Sequence, residues 1–233
     1  MFPTKSGVIG MIAAAMGVRR TESLAQFGGL RFGVRIDQRG SLIRDFHTAH
    51  DDAGHSMPLS NRYYLQDAVF LAAIEDVGDE RLLKYENALK TPYYQLFLGR
   101  RSCPPDGPIR SQIWHGELEQ VLRDVAWQAT ECYQRRALSR HSDTSAREVE
   151  LIVEPSRSRS SEVAESEHQV FVDTLQDEPL SFDPRNRQWG ARRYQRLGFI
   201  EPTPNVLYAG IPTSPEAVHD PMTAVTNAKS GLL

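Results

Sequence analysis

The order of apolar patterns in residues 1–90 limits the possible folds of this chain more than any other feature. Residues 7–17 form an apolar run, residues 30–38 alternate apolar and polar side chains, and residues 68–74 form a second apolar run. The alternation is typical of a half-buried strand with Arg31 and Arg35 on one face, and the run at 68–74 suits an interior strand. A helical pattern then begins at Asp79. The order of elements is thus helix, strand, excursion, strand and helix. This order predicts an α+β sandwich of the βαββαβ kind without its leading strand.

The first apolar run predicts a buried helix. It is too short to span a bilayer, and Arg19 and Arg20 stand where a signal-peptide cleavage site would require small neutral residues. We therefore expect neither export nor a membrane partner. Thr4 or Ser6 can cap the first turn, and Gly17 can end the helix.

The excursion between the two strands is polar and rich in histidine, and it predicts a hairpin arm at about 41–66. His47, His50 and His55 lie close in sequence to three aspartates, a composition that metal sites use. Gly54 and Pro58 interrupt the segment, and without apolar periodicity nothing fixes a ligand geometry. We therefore favour a solvated arm over a metal site and expect no metal and no cofactor.

The rest of the chain alternates less regularly. We predict a strand over 93–100 that breaks into a Gly/Pro-rich loop, a helix over 117–136, and two more strands over 149–153 and 168–175, separated by a polar loop. The last stretch has no sustained periodicity. This pattern predicts one domain over residues 1–200 and a disordered or loosely packed tail over 201–233.

Charge and cysteine content exclude several classes of protein. The 233 residues carry a formal charge of −3, so any affinity for nucleic acid must be local. Only four of the 27 basic residues are lysines, a bias that fits phosphate and base recognition but also GC-rich coding. Two cysteines without CxxC spacing indicate a reducing compartment and a cytoplasmic location. Phosphate-binding loop, serine-hydrolase and zinc-protease motifs are absent from the sequence.

Two arginine clusters are candidate RNA-binding segments. Arg100, Arg101 and Ser102 open the loop after the predicted strand, where guanidinium and hydroxyl groups suit a phosphate, although an ordinary basic loop has the same composition. Cys103 beside them is a possible nucleophile without an assignable base. The second cluster spans 185–196, where five arginines interleave with Trp189 and Tyr194. This composition suits single-stranded nucleic acid, or a solvated edge strand.

Four segments in order carry a resemblance to a known family: FPTKSGVIGMIAAAMG, IRDFHT, YYQLFLGRRSCPP and DEPLSFDPRNRQW. Over residues 2–199 the chain resembles the CasD subunits of type I-E CRISPR Cascade, members of the RAMP superfamily. The resemblance implies a ferredoxin-like, RRM-related domain with a thumb β-hairpin and additional C-terminal strands. It also implies a non-catalytic, RNA-binding subunit in antiviral defence. Such a subunit holds the 5′ handle of the crRNA, contacts the large and backbone subunits, and meets target DNA only through the complex.

The resemblance also implies roles for individual residues. The helix start would face the RNA backbone, the segment from Arg44 to Thr48 would begin the thumb, and the loop after residue 99 would lie near the handle and the large subunit. The predicted RNA-binding residues are Pro3, Thr4, Lys5, Ser6, Gly7, Arg44, Phe46, His47, Arg100, Arg101, Ser102, Arg187 and Arg192.

Two points depart from this interpretation. Members of the family begin with a strand and a loop ahead of the FPT motif, so we expect either a truncated chain or an open slot in the middle of the sheet, with unpaired amides on both sides. In addition, the equivalent subunit of subtype I-C relatives cleaves precursor crRNA without metal. His47, Tyr63, Tyr64 and Lys5 are the residues that would supply acid, base or nucleophile-positioning groups in that alternative.

Overall fold

We analysed a computed structural model of the chain, which describes residues 1–139, 147–156 and 172–203. Its helices are α1 (Lys5–Ala15), α2 (Asp79–Lys90), α3 (Leu118–Asp124) and α4 (Glu131–Ser139), with a 3-10 turn at Ala25–Phe27. Its strands are β1 (Arg31–Gln38), β2 (Ser41–His47), β3 (Ser60–Gln66), β4 (Val69–Glu75), β5 (Val149–Val153), β6 (Val172–Ser181) and β7 (Gln188–Ile200). None of the helices within these residues is long and apolar enough to cross a membrane.

Helix α1 is the predicted buried helix, and its two ends are set by the residues expected to set them. The Thr4 side chain accepts a hydrogen bond from the Gly7 amide at 3.1 Å and so caps the first turn. Val8, Ile9 and Ile12 are buried in the core. Gly17 follows the last turn with φ +76°, a conformation that glycine adopts without strain.

The main sheet has five antiparallel strands in the order β4-β1-β5-β7-β6. One apolar cluster, built from α1, β1 and residues of α2, packs on one face, and a second cluster, built from α3, α4 and β5, packs on the other. The α+β class with an antiparallel sheet is therefore confirmed. Of the two alternatives for the missing strand, an open slot in the middle of the sheet is not observed, because the strand order is continuous in the described part of the chain.

The expected exposure of β1 and the expected position of β4 in the sheet were both wrong. Every residue of β1 is buried, so it is not half-buried, because helices cover both faces of the sheet at this strand. Strand β4 was expected inside the sheet and lies at its edge, although its side chains pack into both clusters: Phe70 and Ile74 into one, and Leu71 and Ala73 into the other. A run of apolar residues indicates that both faces of a strand are buried. It does not indicate whether the strand has a neighbouring strand at each edge.

The arm (residues 41–66) projects as predicted. Strands β2 and β3 form a separate two-stranded sheet in which Ser41 pairs with Gln66 and His47 with Ser60. A single bridge between His50 and Ser56 continues the pairing toward the tip. No group of three or more metal-ligating side chains in the described residues is placed to hold an ion.

Other elements differ from the prediction in extent. Residues 93–100 contain no strand, and the helix expected over 117–136 is broken into α3 and α4. Strand β6 begins at Val172, so the first four residues of the strand predicted at 168–175 lie outside the described residues, as does most of the polar loop before them. Of the predicted tail only 201–203 are described, and the boundary at residue 200 stays a prediction.

Candidate functional site

A groove of about 720 Å³ runs along the outer side of α1. Helix α1 forms its floor, the segment from Tyr94 to Arg101 forms one wall, and the connection between β6 and β7 forms the other. We call it the α1 groove. Its lining residues are Thr4, Ser6, Gly7, Gly10, Ala13, Ala14, Val18, Arg19, Arg20, Tyr94, Gln95, Phe97, Gly99, Arg101, Phe182, Arg187 and Trp189.

The α1 groove carries positive charge without a balancing acid. Among the described residues, four arginines and no aspartate or glutamate line it, although the chain as a whole has a charge of −3. Arg19 comes no closer than 4.0 Å to Glu22, and both side chains are largely exposed. For Arg20, Arg101 and Arg187 the described residues provide no ion pair or hydrogen bond. Unpaired guanidinium groups in one concave surface attract anions.

The floor of the groove is lined by small residues of α1, and two of them, Gly7 and Gly10, lie close to neighbouring side chains. A Cβ atom added to Gly10 would come within 3.5 Å of the Phe182 ring, and one added to Gly7 within 3.1 Å of the Thr4 hydroxyl. The Phe182 ring and the Thr4 side chain therefore lie close to the helix at these two glycines. Aromatic residues stand in both walls, with Tyr94 and Phe97 on one side and Phe182 and Trp189 on the other.

The N-terminus of α1 is less available to an anion than the sequence suggested. The Lys5 amide donates to Asp177 Oδ2 at 2.8 Å, and the Gly7 amide donates to the Thr4 side chain. An acidic side chain at this position offsets the positive end of the helix dipole. The amides of Lys5 and Gly7 at the helix start thus have internal acceptors, whereas Ser6 and Gly7 themselves line the groove.

Three of the predicted RNA contacts lie inside the protein. The Lys5 ammonium group bonds to the Leu30 carbonyl at 2.7 Å and pairs with Glu154 at 3.0 Å and Glu178 at 2.6 Å. The Arg192 guanidinium donates twice to Asp177, at 2.7 Å each. Both side chains are only 4% exposed, so we correct the expectation that they face RNA. Pro3 is buried as well.

Burial within this charged network shifts the pKa of one of its carboxyl groups. Burial is the main cause that raises the pKa of Glu154, and the Lys5 charge opposes that shift. The five groups of this network are Lys5, Arg192, Glu154, Glu178 and Asp177. They join the start of α1 to β6 and β7, and so position the floor of the groove relative to one wall.

In the loop after residue 99, neighbouring side chains contact different parts of the protein. Arg101 lines the groove, whereas the Arg100 guanidinium lies over the Tyr64 ring of the arm, with its Cζ 5.2 Å from the ring centroid. Ser102 Oγ donates to the Tyr64 hydroxyl at 3.3 Å. The hydrogen bonds from Ser102 and then Arg100 lower the pKa of Tyr64. The loop therefore connects the base of the arm to the groove.

Farther along the arm, the predicted residues are largely exposed. The Arg44 guanidinium lies over the Phe46 ring at 5.0 Å, and Phe46 is 54% exposed. On the other face of β2 from Phe46, His47 Nε2 lies 2.8 Å from Asp45 Oδ2. These residues are on the arm and do not line the groove.

The structure thus brings together a subset of the predicted set and adds residues that the sequence did not assign. Thr4, Ser6, Gly7, Arg101 and Arg187 share the groove. Of the two aromatic residues noted in 185–196, Trp189 lines the groove and Tyr194 is buried, with its hydroxyl on Asp173 at 3.0 Å. The groove residues that the sequence did not assign include Arg19, Arg20, Gln95, Tyr94, Phe97 and Phe182. Only the adjacent pair Arg19 and Arg20 could have been noticed from composition.

The fold and the groove define an α+β protein with a projecting hairpin beside an arginine-lined surface. Residues 1–195 match the sequence model of a family described as CRISPR-associated protein (Cas_Cas5). Because the match covers most of the 233 residues, the chain belongs to that family. The predicted resemblance is confirmed.

One curated relative and two solved structures agree with this assignment. The CRISPR system Cascade subunit CasD of Escherichia coli (strain K12) is 34% identical over 128 residues, which cover 46% of this chain and 57% of the relative. The chain therefore spans a little over half the length of that relative in the alignment. A structure described as CRISPR RNA-guided surveillance complex superposes with a TM-score of 0.61 at 28% identity, covering 84% of this chain and 78% of the other. A second, described as Crystal structure of Cas protein, has a TM-score of 0.57 at 26% identity, with 87% and 84% covered.

Proposed function

We propose that the chain is a non-catalytic, RNA-binding subunit of a CRISPR surveillance complex of the type I-E Cascade kind. In this proposal it holds the 5′ handle of the crRNA, contacts the large and backbone subunits, and meets target DNA only through the complex. It acts in the cytoplasm in antiviral defence. We also propose that α1, α2 and the strands between them form the ferredoxin-like, RRM-related part of the domain, with β5, β6 and β7 as additional C-terminal strands.

The observation that carries the proposal is that no acidic residue in the described part of the chain lines the α1 groove. Four arginines line a concave surface of a chain whose net charge is negative, and three of them have no internal partner among the described residues. Phosphates of a single strand would supply the missing counter-charge, and the aromatic walls would supply surfaces for bases. The membership in the Cas5 family and the likeness to a surveillance-complex structure support the same ligand.

A charge-matched pair of variants tests the proposal. R101Q/R187Q removes two charges from the groove, and R110Q/R136Q removes two from exposed arginines outside it. Removing an arginine that holds a phosphate weakens binding of every RNA sequence, so we expect the first variant to lose crRNA from the assembled complex and the second to retain it. Equal crRNA content in complexes with either double variant and in the wild-type complex would contradict the proposal.

The alternative function, metal-independent cleavage of precursor crRNA, has one observation in its favour. Tyr64 has a lowered pKa and two polar neighbours, Ser102 and Arg100. Tyr64 pairs with Ile43 of the neighbouring strand, and Ile43 lies four residues before His47. Tyr64 and His47 are therefore about 13 Å apart in the direction of the strands. Lys5 is buried in the ion network, away from both. Incubation of the protein with repeat RNA in a chelator tests this alternative: a discrete cut that Y64F abolishes would support it.

A further inference from the structure

Trp189 is an exposed ring without a partner in the described part of the chain. Its side chain is 46% exposed, and no described residue gives it a hydrogen bond, a ring contact or a cation contact. By contrast, the rings of Phe46, Tyr64 and Phe199 each lie under an arginine of this chain. Both faces of the Trp189 indole ring are thus free of aromatic and cationic partners among these residues.

The position of Trp189 in the groove places this ring beside an unpaired positive charge. Trp189 pairs with Pro179 across β6 and β7, and Arg187, two residues earlier, lines the same groove. On the helix floor the Phe182 ring lies close to Gly10, where an added Cβ would come within 3.5 Å of it. An arginine and an aromatic ring separated by one residue on one wall match the alternation of phosphate and base along a single strand.

The surrounding charge excludes a purely apolar occupant for this ring. An apolar protein segment in the groove would remove four guanidinium groups from water without offering them an anion, which is unfavourable. A duplex would keep its bases stacked on each other and away from the wall. Unpaired RNA supplies both an anion for the arginines and a flat ring for the indole.

We propose that Trp189 is the stacking platform for one unpaired RNA base in the α1 groove, with a phosphate of the same strand on Arg187. This inference rests on the proposed RNA-binding function and deepens it. It specifies that the wall containing Trp189 binds the base of a nucleotide as well as its phosphate.

The test compares two labelled probes of equal charge on the full chain. One is a fluorescein-labelled single-stranded RNA decamer, and the other is a decamer with the same ribose-phosphate backbone and no bases. W189A is expected to weaken binding of the base-bearing decamer by roughly 5- to 150-fold and to change binding of the abasic decamer by less than about two-fold. W189F is expected to keep most of the affinity, since it keeps a ring.

W114A is the matched control, because Trp114 is also 46% exposed and does not line the groove. It should bind both decamers as the wild type does. If W189A weakens both decamers equally, or if the wild type binds them equally, the stacking platform is overturned and RNA binding stands. If the wild type binds neither decamer, the proposed function itself fails, and the platform fails with it.

Discussion

The Arg35 guanidinium group is fully buried and uses all five of its N–H bonds inside the protein. It donates to both carboxylate oxygens of Asp37, at 2.6 and 2.8 Å. It also donates to the carbonyls of Leu122, Val125 and Ala126, at 2.7, 2.5 and 2.9 Å. A planar fork with five donors suits this arrangement, and the three donors of a lysine would leave acceptors unsatisfied.

Arg35→Met is therefore expected to be strongly destabilising. The substitution leaves the Asp37 carboxylate buried without its cation, which costs about 3–5 kcal/mol of unfolding free energy. Urea denaturation measures the loss. R39M is the control, because Arg39 is 61% exposed and lies 3.7 Å from Glu150, so its loss should cost under about 1 kcal/mol. Similar losses for the two variants would contradict this role of Arg35.

Glu154 should make stability depend on pH in the opposite sense to most acids. Because burial raises its pKa in the folded state, the folded protein holds this proton more tightly than the unfolded chain does. Its contribution to stability is thus present at low pH and is lost as pH rises from about 4.3, the ordinary glutamate pKa, through the raised value. E154Q cannot titrate at this position, so the wild type should lose unfolding free energy relative to E154Q over that range.

Urea denaturation at several pH values between about 4 and 7 measures this difference. E148Q, at an exposed position on the approach to β5, serves as the control and should follow the wild type. A difference between wild type and E154Q that is constant with pH would show that burial does not govern the Glu154 proton.

At the scale of elements, the local sequence pattern predicts a helix or strand correctly unless a side chain distant in sequence hydrogen-bonds the backbone groups of that element. The apolar residues of 117–136 fit one helix, but Arg35 takes the carbonyls of Leu122, Val125 and Ala126 and the chain turns there. The arm was predictable because its two polar strands are close in sequence and, in the described part of the chain, pair only with each other. The groove was not, since its walls come from segments about ninety residues apart and their contact is set by the packing of α1 against β6.

The floor of the groove allows a prediction about α1 itself. At Gly10 a Cβ would make an ordinary contact with Phe182, so G10A should stabilise the protein by about 0.5–1 kcal/mol through better helix propensity. At Gly7 the same Cβ would crowd the Thr4 hydroxyl at 3.1 Å and Leu98 at 3.3 Å, so G7A should gain less or lose stability. Thermal unfolding of the two variants compares them directly, and a larger gain for G7A would contradict the packing of this face.

At the scale of the whole molecule, the distribution of charge matters more than its sum. The run of five arginines at 185–196 contains no acid in sequence, but the fold brings acids to two of its members. Arg192 pairs with Asp177, and Arg196 bonds to Glu150. Arg187 is left without a described partner and lines the groove. Acids pair with arginines inside the sheet, and no described acid lines the groove. A chain of negative net charge can therefore still present a local site for an anion.

This separation of charge predicts how RNA binding responds to salt. Because the net charge is −3, attraction at long range is weak, and the salt dependence should come from the phosphates held in the groove. For a single strand the slope of log K against log salt changes by about 0.7 for each phosphate contact, so R101Q/R187Q should reduce its magnitude by about 1.4. R110Q/R136Q should leave the slope unchanged. Fluorescence anisotropy titrations with the RNA decamer over a series of salt concentrations give the slopes. If the two double variants lowered the slope equally, phosphate contacts would be spread over the surface, and the groove would not be their location.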